Sequence, residues 1–253
     1  MNLSVVIPAH NEEGVIAGTL RGLYAELKKE GVPHEIVAVN DHSTDGTGTI
    51  LRGLSAEIPT LRAVENASAG GFGHAVRFGL ERFTGDVVAV YMADASDSPE
   101  DLVRFYRVMS DQGVDCVFGS RFSRGGRTVD YPPHKYILNR LANRFIQALF
   151  RLPYNDITNA FKMYRRCVIE GAQPLLSAHF NLTVELPLKA IIRGYRYAVV
   201  PNAWVNRKAG VSKLRIKEMG SRYLFIVLYC FIEKWLSRGD YRRRDLPSQG
   251  EGR

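Results

Sequence analysis

Over the first half of the chain, short apolar runs alternate with stretches of helical periodicity, and few folds accommodate that pattern. The apolar runs lie at residues 3–8, 35–39, 61–65, 86–92 and 115–120, and the predicted helices cover about 12–30, 45–56, 73–83 and 99–112. Strands that alternate with helices are typical of βαβ units, whose parallel strands are joined by crossover helices. The pattern predicts an α/β fold with a mixed, mostly parallel sheet flanked by helices.

Polar loops follow the first four predicted strands. They read PAHNEE (8–13), NDHSTDGT (40–47), NASAGGFGHA (66–75) and ADASDSP (93–99). In an open α/β sheet, the crevice outside the carboxyl ends of the strands is where ligands bind. We therefore expect these loops to assemble the functional site.

Composition narrows the range of partners. With 253 residues and 45% hydrophobic content, the chain can bury the core of one α/β domain. The formal net charge of +8 indicates anionic partners. Because no DNA- or RNA-binding pattern accompanies it, we favour phosphorylated small molecules and a membrane surface. The three cysteines, Cys116, Cys167 and Cys230, have no metal-binding spacing, and the early first strand leaves no room for a signal peptide, so we expect a reducing, cytoplasmic location.

The second half of the chain is less regular. A basic loop at 120–135 precedes predicted helices at 134–150 and 181–193 and a strand near 196–205. The run YLFIVLYCFI at 223–232 has no polar face but is too short to cross a bilayer. Two interpretations stay open, a buried core helix and a helix that lies in the membrane interface or docks to a membrane partner. Flanking basic and aromatic residues favour the second modestly.

Carboxylates at two strand ends carry the main functional expectation. Asp41 could accept a hydrogen bond from a base or ribose edge, although a capped turn explains its loop equally well. Asp94 ends a buried strand and therefore needs a cation or donors nearby. Hard divalent cations bind through oxygen ligands, so Asp94 is the predicted ligand for Mg²⁺ or Mn²⁺, with Ser96 or Asp97 as helpers. Because Asp97 directly precedes the Ser-Pro pair that opens the next helix, a capping role is favoured over a ligand role for it.

Seven segments in order carry a resemblance to a known family. They are VVIPAHNEE, NDHSTDGT, SPEDL, GSRF, NDITNAFKMYRR, FNLTVELPLKAIIRGY and NRKAGVSKL, and they lie between about residues 3 and 218. The chain resembles the family 2 glycosyltransferases of the GT-A fold, and among them the dolichol-phosphate mannose synthase branch of the polyprenyl-phosphate glycosyltransferases. The resemblance implies transfer of a sugar, with inversion, from a GDP- or UDP-sugar to a polyprenyl phosphate, assisted by Mg²⁺ or Mn²⁺.

The resemblance also implies roles for individual positions. Those expected at the nucleoside are Pro8, Ala9, Asn11, Glu12, Asp41 and Ala93, next to the metal ligand Asp94. Those expected at the acceptor lipid phosphate are Lys135, Asn139 and Arg140. Those expected at the diphosphate and the sugar are Arg121, Thr183 and Glu185, together with Arg207, Ser212 and Lys213 of a closing loop.

The sequence departs from the family pattern at three positions. Asn40 replaces the first of two usual aspartates, and Met92 replaces the first aspartate of an Asp-x-Asp metal motif. The second change removes a metal ligand. Lys162 offers a point charge where an arginine fork is usual. We therefore expect a side branch of the family, whose donor sugar or acceptor could differ from mannose and dolichol.

The acceptor determines whether a general base is needed. A lipid phosphate is already anionic near neutral pH, since its second pKa is about 6, and needs no protein base. A hydroxyl acceptor would need one, and Asp156 is the first candidate, although a structural role in its loop is equally open.

Two other functions stay open besides the lipid-phosphate transferase. One is a soluble transferase to a saccharide hydroxyl, and the other is a catalytically weak regulatory paralogue that binds nucleotide sugar. The expected organisation is a catalytic domain at 1–214, an interfacial helix at 215–236 and a disordered basic tail at 237–253. We expect a peripheral protein at the cytoplasmic face of the membrane, held by the bilayer surface or a small membrane subunit.

Overall fold

The structure is a computed structural model that describes residues 1–206 and 216–243. Its strands are β1 Leu3–Ala9, β2 His34–Asn40, β3 Leu61–Glu65, β4 Val87–Val90, β5 Cys116–Ser120, β6 Arg127–Val129, β7 Lys162–Arg165, β8 Tyr197–Pro201 and β9 Ala203–Val205. Its helices are α1 Ile16–Lys29, α2 Thr47–Glu57, α3 Phe72–Leu80, α4 Pro99–Gln112, α5 Pro133–Phe150, α6 Arg166–Gly171, α7 Leu182–Ile192 and α8 Ile216–Leu236.

One mixed sheet organises the described residues. Seven of their strands pair in the order β3-β2-β1-β4-β7-β5-β8. All neighbours are parallel except β7, which is antiparallel to both β4 and β5. The expected α/β fold with a mostly parallel sheet is confirmed. The antiparallel β7 is a strand that the sequence pattern does not predict.

The strand expected near 196–205 is two strands. It breaks at Asn202, whose backbone N–H donates to Ser120 O at 3.1 Å and whose Oδ1 accepts from Asn159 Nδ2 at 3.0 Å. Beyond this break, β9 leaves the main sheet and pairs in parallel with β6. The small β6–β9 sheet therefore holds the chain that follows Asn202 beside the loop after β5.

Two hydrophobic cores cover the two faces of the sheet. The side chains of β1 alternate between them, with Val5 and Ile7 facing one core and Val6 the other, as the period of two in a strand requires. Helices α1, α2 and α4 cover the first face. Residues of α3, α5, α7 and α8 cover the second. Both faces are closed, which explains why β1, β4 and β5 are largely apolar.

Helix α8 has one buried side and one exposed side, although both are apolar. Ile226, Val227 and Cys230 are buried in the second core. Arg193, just after α7, donates from Nε and Nη2 to the two oxygens of Glu233 at 2.7 and 3.0 Å, in a pair that is almost fully buried. The outer side chains of α8 are exposed. The interpretation of 223–232 as a buried core helix therefore holds for one side of this helix, and the membrane interpretation stays a prediction for its exposed side.

The segment after α8 begins as an ordered turn. The Arg243 N–H donates to Arg193 O at 3.0 Å, and its guanidinium lies 3.2 Å from an Asp115 carboxylate oxygen. The rest of the expected tail, 244–253, lies outside the described residues. No helix in the described part of the chain is long and apolar enough to span a bilayer.

Candidate functional site

The first two loops are joined by reciprocal hydrogen bonds. The Asn11 N–H donates to Ser43 Oγ at 3.0 Å, and Thr44 N–H donates to Asn11 Oδ1 at 2.8 Å. The Glu12 N–H donates to Thr47 Oγ1 at 2.8 Å. Asn11 has a φ of 52°, in the left-handed region that asparagine tolerates better than most residues. The expected nucleoside residues of β1 and its loop are thus fixed against the loop after β2.

Asp41 fixes the third loop to the second. Its Oδ1 accepts from Asn66 Nδ2 at 2.8 Å, and its Oδ2 accepts from Gly71 N–H at 2.9 Å. Gly71 has a φ of 136°, and a Cβ there would lie 2.8 Å from Ala178 O, so glycine is required. Asp41 is almost fully buried, but a carboxylate with two bonds has lone pairs left for a ligand. Sequence reasoning missed Asn66, whose strand-end position after β3 was the available signal.

The turn after β4 gathers Asp94, Ser96 and Asp97, all at most 6% exposed. Asp94 Oδ1 accepts from Ser96 N–H at 3.1 Å, and Asp97 Oδ2 accepts from Met92 N–H at 3.3 Å. The favoured interpretation of Asp97 as a helix cap is wrong. Ser98 caps α4, since its Oγ accepts from Asp101 N–H at 3.2 Å. The Asp97 carboxylate instead folds back toward the end of β4.

The donors of this turn fit a divalent cation. Burial, and after it the nearby charge of Asp94, raises the pKa of Asp97 to about 7. Ser96 Oγ is buried without a hydrogen-bond partner. Two carboxylates and a hydroxyl are the oxygen ligands that Mg²⁺ and Mn²⁺ prefer, and a cation would remove the repulsion between the carboxylates. The described residues contain no group of three histidine, cysteine or acidic side chains placed to hold a metal ion, so such an ion would draw its other ligands from substrate and water.

Arg121 and Asp156 form a buried bidentate ion pair. Arg121 donates from Nε and Nη2 to the two Asp156 oxygens at 2.9 and 2.7 Å, and from its backbone N–H at 2.8 Å. This carboxylate raises the pKa of the guanidinium against the opposing effect of burial. Asp156 is fully buried and accepts three hydrogen bonds from one residue, so the geometry favours its structural role over that of a general base.

The resemblance-based acceptor residues lie on the first turns of α5. Asn139 Nδ2 donates to Tyr131 Oη at 3.1 Å, and the Arg140 guanidinium lies 4.6 Å from the centre of the Phe122 ring. The Arg121 guanidinium lies 5.2 Å from the same ring. Two expected phosphate-binding arginines are thereby brought to one aromatic side chain. Lys135, one turn earlier on α5, is half-buried.

The first turn of α7 carries Thr183 and Glu185. Thr183 Oγ1 donates to Phe180 O at 2.7 Å and lines a small cavity beside Lys162. Glu185 is fully buried, and its oxygens accept from Leu176 N–H at 2.8 Å, Ser177 N–H at 2.7 Å and Lys189 Nζ at 2.8 Å. In this arrangement Glu185 supports the 174–177 segment. Its expected role at the sugar stays a prediction.

The side chain of Lys162 is buried, which the sequence does not predict. Its Nζ donates to Ile157 O at 3.0 Å, to Thr183 O at 3.1 Å and to Asn159 O. Burial lowers the pKa of Lys162 to about 7, with the charge of Asp156 acting in the opposite direction. The side chain thus ties the loop before β7 to the start of α7. Arg207, Ser212 and Lys213 of the expected closing loop lie outside the described residues.

Comparison with known proteins identifies the family. A family model described as "Glycosyl transferase family 2" matches residues 4–171, which is more than half of the chain. The chain belongs to this family. The expected family assignment is therefore confirmed.

Two relatives are similar in sequence to this chain over most of its length. It is 29% identical over 219 residues to a polyprenol monophosphomannose synthase of Mycolicibacterium smegmatis, covering 83% of this chain and 80% of the relative. It is 27% identical over 242 residues to an undecaprenyl-phosphate mannosyltransferase of Micrococcus luteus, covering 93% and 96%.

Solved structures confirm the fold. Glucosyl-3-phosphoglycerate synthase of Mycobacterium tuberculosis, in complex with Mn²⁺, UDP-glucose and phosphoglyceric acid, superposes with a TM-score of 0.70 at 17% identity, over 91% of this chain and 79% of that one. A complex of the same enzyme with Mg²⁺ and UDP gives a TM-score of 0.67 at 16% identity, over 92% and 79%. The GT-A architecture expected from the sequence is thus the observed one.

Proposed function

We propose that the protein transfers a hexose from a nucleotide-diphosphate sugar to a polyprenyl phosphate, with inversion at the sugar. The observation that carries this proposal is the pair of buried carboxylates, Asp94 and Asp97, with the unpartnered hydroxyl of Ser96 between them in the chain. They lie in the loop after β4, on the ligand-binding edge of the sheet. The names of the two relatives favour mannose and a polyprenyl phosphate, and the metal ions of the structural neighbours favour a divalent cation.

Asp94, Ser96 and Asp97 would hold the ion, which when bound offsets the negative charge of the donor diphosphate. A phosphate oxygen of the acceptor attacks the anomeric carbon, the bond from that carbon to the diphosphate breaks, and the nucleoside diphosphate leaves. Arg140 and Lys135 orient the acceptor phosphate. Fixed positive charge placed where negative charge develops is commonly the largest catalytic contribution.

The attacking oxygen needs no proton removed, because a phosphate monoester is largely dianionic above its second pKa of about 6. Asp156 is committed to Arg121, which disfavours a hydroxyl acceptor that depends on Asp156 as base. This arrangement supports the lipid-phosphate acceptor over a saccharide acceptor.

A panel of GDP- and UDP-sugars with Mn²⁺ and a polyprenyl phosphate tests the proposal. We expect one radiolabelled donor to transfer its label into butanol-extractable lipid with repeated turnover. The D94N variant should keep the fold, checked by circular dichroism, and lose this turnover. Label that appears only in water-soluble product, or no release of nucleoside diphosphate from any donor, would contradict the proposal.

We also propose that a lipid bilayer contacts an exposed apolar surface formed by α5 and α8, called here the two-helix face. Most of the exposed large apolar side chains of the described residues lie on these helices. On α5 they are Tyr136, Ile137, Leu138, Leu141 and Phe145, and on α8 they are Leu224, Phe225, Leu228, Ile232, Trp235 and Leu236. Counted from Ile137 and from Leu224, four members of each set recur at i, i+1, i+4 and i+8, which places them on one side of their helix.

The two helices meet where Phe150 contacts Phe231, with ring centres 6.2 Å apart, and where Lys234 Nζ donates to Phe150 O at 2.5 Å. The inner sides of both helices are occupied by the core, and the outer apolar side chains are exposed to solvent. A bilayer suits this surface because an acceptor with a polyprenyl tail must present its phosphate from the membrane. Arg140 and Lys135 lie on α5, beside the same surface.

A further inference from the structure

The carboxylate missing at position 92 has a neighbour that can replace it. Met92 N–H donates to Asp97 Oδ2 at 3.3 Å, which brings the Asp97 carboxylate beside the backbone of the residue where the family usually has an aspartate. The chain reverses between them at Ala95, whose φ is 58°. A carboxylate five positions later therefore lies beside the backbone of residue 92.

The position of Asp97 is held from both sides. Tyr91 Oη donates to Asp97 O at 2.5 Å and anchors the backbone. Ser98 and Pro99 begin α4, so the helix makes no use of the Asp97 carboxylate. The carboxylate is buried on the same turn as Asp94, which is buried too. Two acidic side chains on one turn offer the oxygen ligands that a divalent cation prefers.

A second feature points to a ligand in this turn. Ser96 is 2% exposed and its Oγ has no hydrogen-bond partner. A buried hydroxyl without a partner is unusual, since the large majority of buried polar side-chain atoms have one. An oxygen-seeking cation would give this hydroxyl a partner, and the two carboxylates on the same turn are ligands of the kind that such a cation prefers.

We propose that Asp97 supplies the second acidic ligand of the divalent ion, in place of the residue at position 92. The acidic ligands are then Asp94 and Asp97, and the net charge of the ligand set stays what an Asp-x-Asp motif would give. This inference rests on the proposed function, because it takes a divalent ion to be bound with the donor diphosphate. The loss of an aspartate at Met92 therefore does not mark a weak or inactive paralogue.

The test measures binding of Mn²⁺ in the presence of GDP or UDP, by the electron paramagnetic resonance signal of free Mn²⁺, and needs no turnover. We expect D97N to weaken Mn²⁺ binding by at least about tenfold, since even a neighbour of a metal ligand can contribute that much. The double variant M92D/D97N should recover most of the affinity, because a carboxylate is returned to the usual position. The Asn side chain of D97N can still accept from Met92 N–H, so the turn should fold.

The control is D111N, which removes one negative charge from the exposed surface of α4 and should bind Mn²⁺ as the wild type does. Wild-type affinity in D97N would overturn the inference and remove Asp97 from the proposed ion ligands, while the proposed transfer of sugar to lipid would still stand on its own test. A loss in D97N that M92D/D97N does not recover, with both variants folded by circular dichroism, would assign Asp97 to the structure of the turn and overturn the inference too. No Mn²⁺ binding by the wild type with either nucleotide would overturn both the inference and the metal assistance proposed above.

Discussion

At the scale of single residues, the buried ion pair of Arg121 and Asp156 gives the first prediction. Replacing Asp156 by Asn leaves a buried guanidinium without its counter-charge, and breaking a buried pair in this way costs about 3–5 kcal/mol. We expect D156N to lower the free energy of unfolding by that amount, measured by urea denaturation. The control E57Q removes the partner of Arg21 from a half-exposed pair and should change stability little. Full stability of D156N with loss of transfer would instead indicate a catalytic base.

Lys162 gives a second residue-scale prediction, on pH. Its pKa of about 7 in the folded protein is below the unfolded value of about 10.4, so between these values the unfolded chain binds more protons. Stability from this group therefore rises with pH, by up to about 1.4 kcal/mol per pH unit. The K162M variant has no amine at this position and therefore lacks this pH-dependent contribution to stability. The difference in unfolding free energy between wild type and K162M should grow in favour of wild type from about pH 7 to about pH 9, and a constant difference would contradict the shift.

Sequence reasoning located the strand-end carboxylates because their pattern is local. Asp41 and Asp94 follow apolar runs directly, and the carboxyl ends of parallel strands share one edge. The role of Asp97 was misjudged for the same reason. A Ser-Pro pair after an aspartate is a local capping signal, but Ser98 takes that role, and the hydrogen bond to Met92 depends on a chain reversal that no spacing reveals.

At the scale of helices and strands, the regular half of the sheet was predictable and β7 was not. Strands β1 to β5 are apolar runs between helices, and all were expected close to their observed bounds. β7 has four residues, KMYR, and begins with a buried lysine whose amine donates to two carbonyls of the preceding loop and to one carbonyl of α7. Such burial arises from tertiary structure, so neither length nor periodicity signals the strand.

Helix α8 gives the prediction at this scale. Removing residues 216–253 would uncover the core side chains that contact Ile226, Val227 and Cys230, and would leave Arg193 without Glu233. We therefore expect the shortened chain to unfold at a clearly lower temperature, or to aggregate, in scanning calorimetry. The double variant F225S/I232S, changed only on the exposed side of α8, should unfold close to the wild-type temperature. Equal transitions for the shortened and full chains would mean that α8 is not part of the core.

At the scale of the whole molecule, the contrast between the buried and exposed sides of α8 decides how membrane attachment is tested. Because α8 belongs to the core, deleting it would abolish membrane binding and folding together. Substitutions on the two-helix face change only exposed side chains and therefore test membrane binding alone. Each large apolar side chain that leaves water contributes about 1.5–3 kcal/mol when fully buried. We expect I137S/L141S on α5, and F225S/I232S on α8, each to reduce flotation with vesicles by at least about tenfold.

The control for these variants is L176S/V199S, which removes exposed apolar side chains that lie outside α5 and α8 and should float as the wild type does. With a net charge of +8, the protein should bind vesicles containing anionic lipid more strongly than neutral ones, and salt should weaken that difference.

Transfer to a short, water-soluble prenyl phosphate should stay near the wild-type rate in both variants, while transfer to a long-chain acceptor in vesicles falls. If the wild type ignores vesicles and elutes as a dimer that these variants dissociate, the surface binds a second copy of the chain instead of lipid.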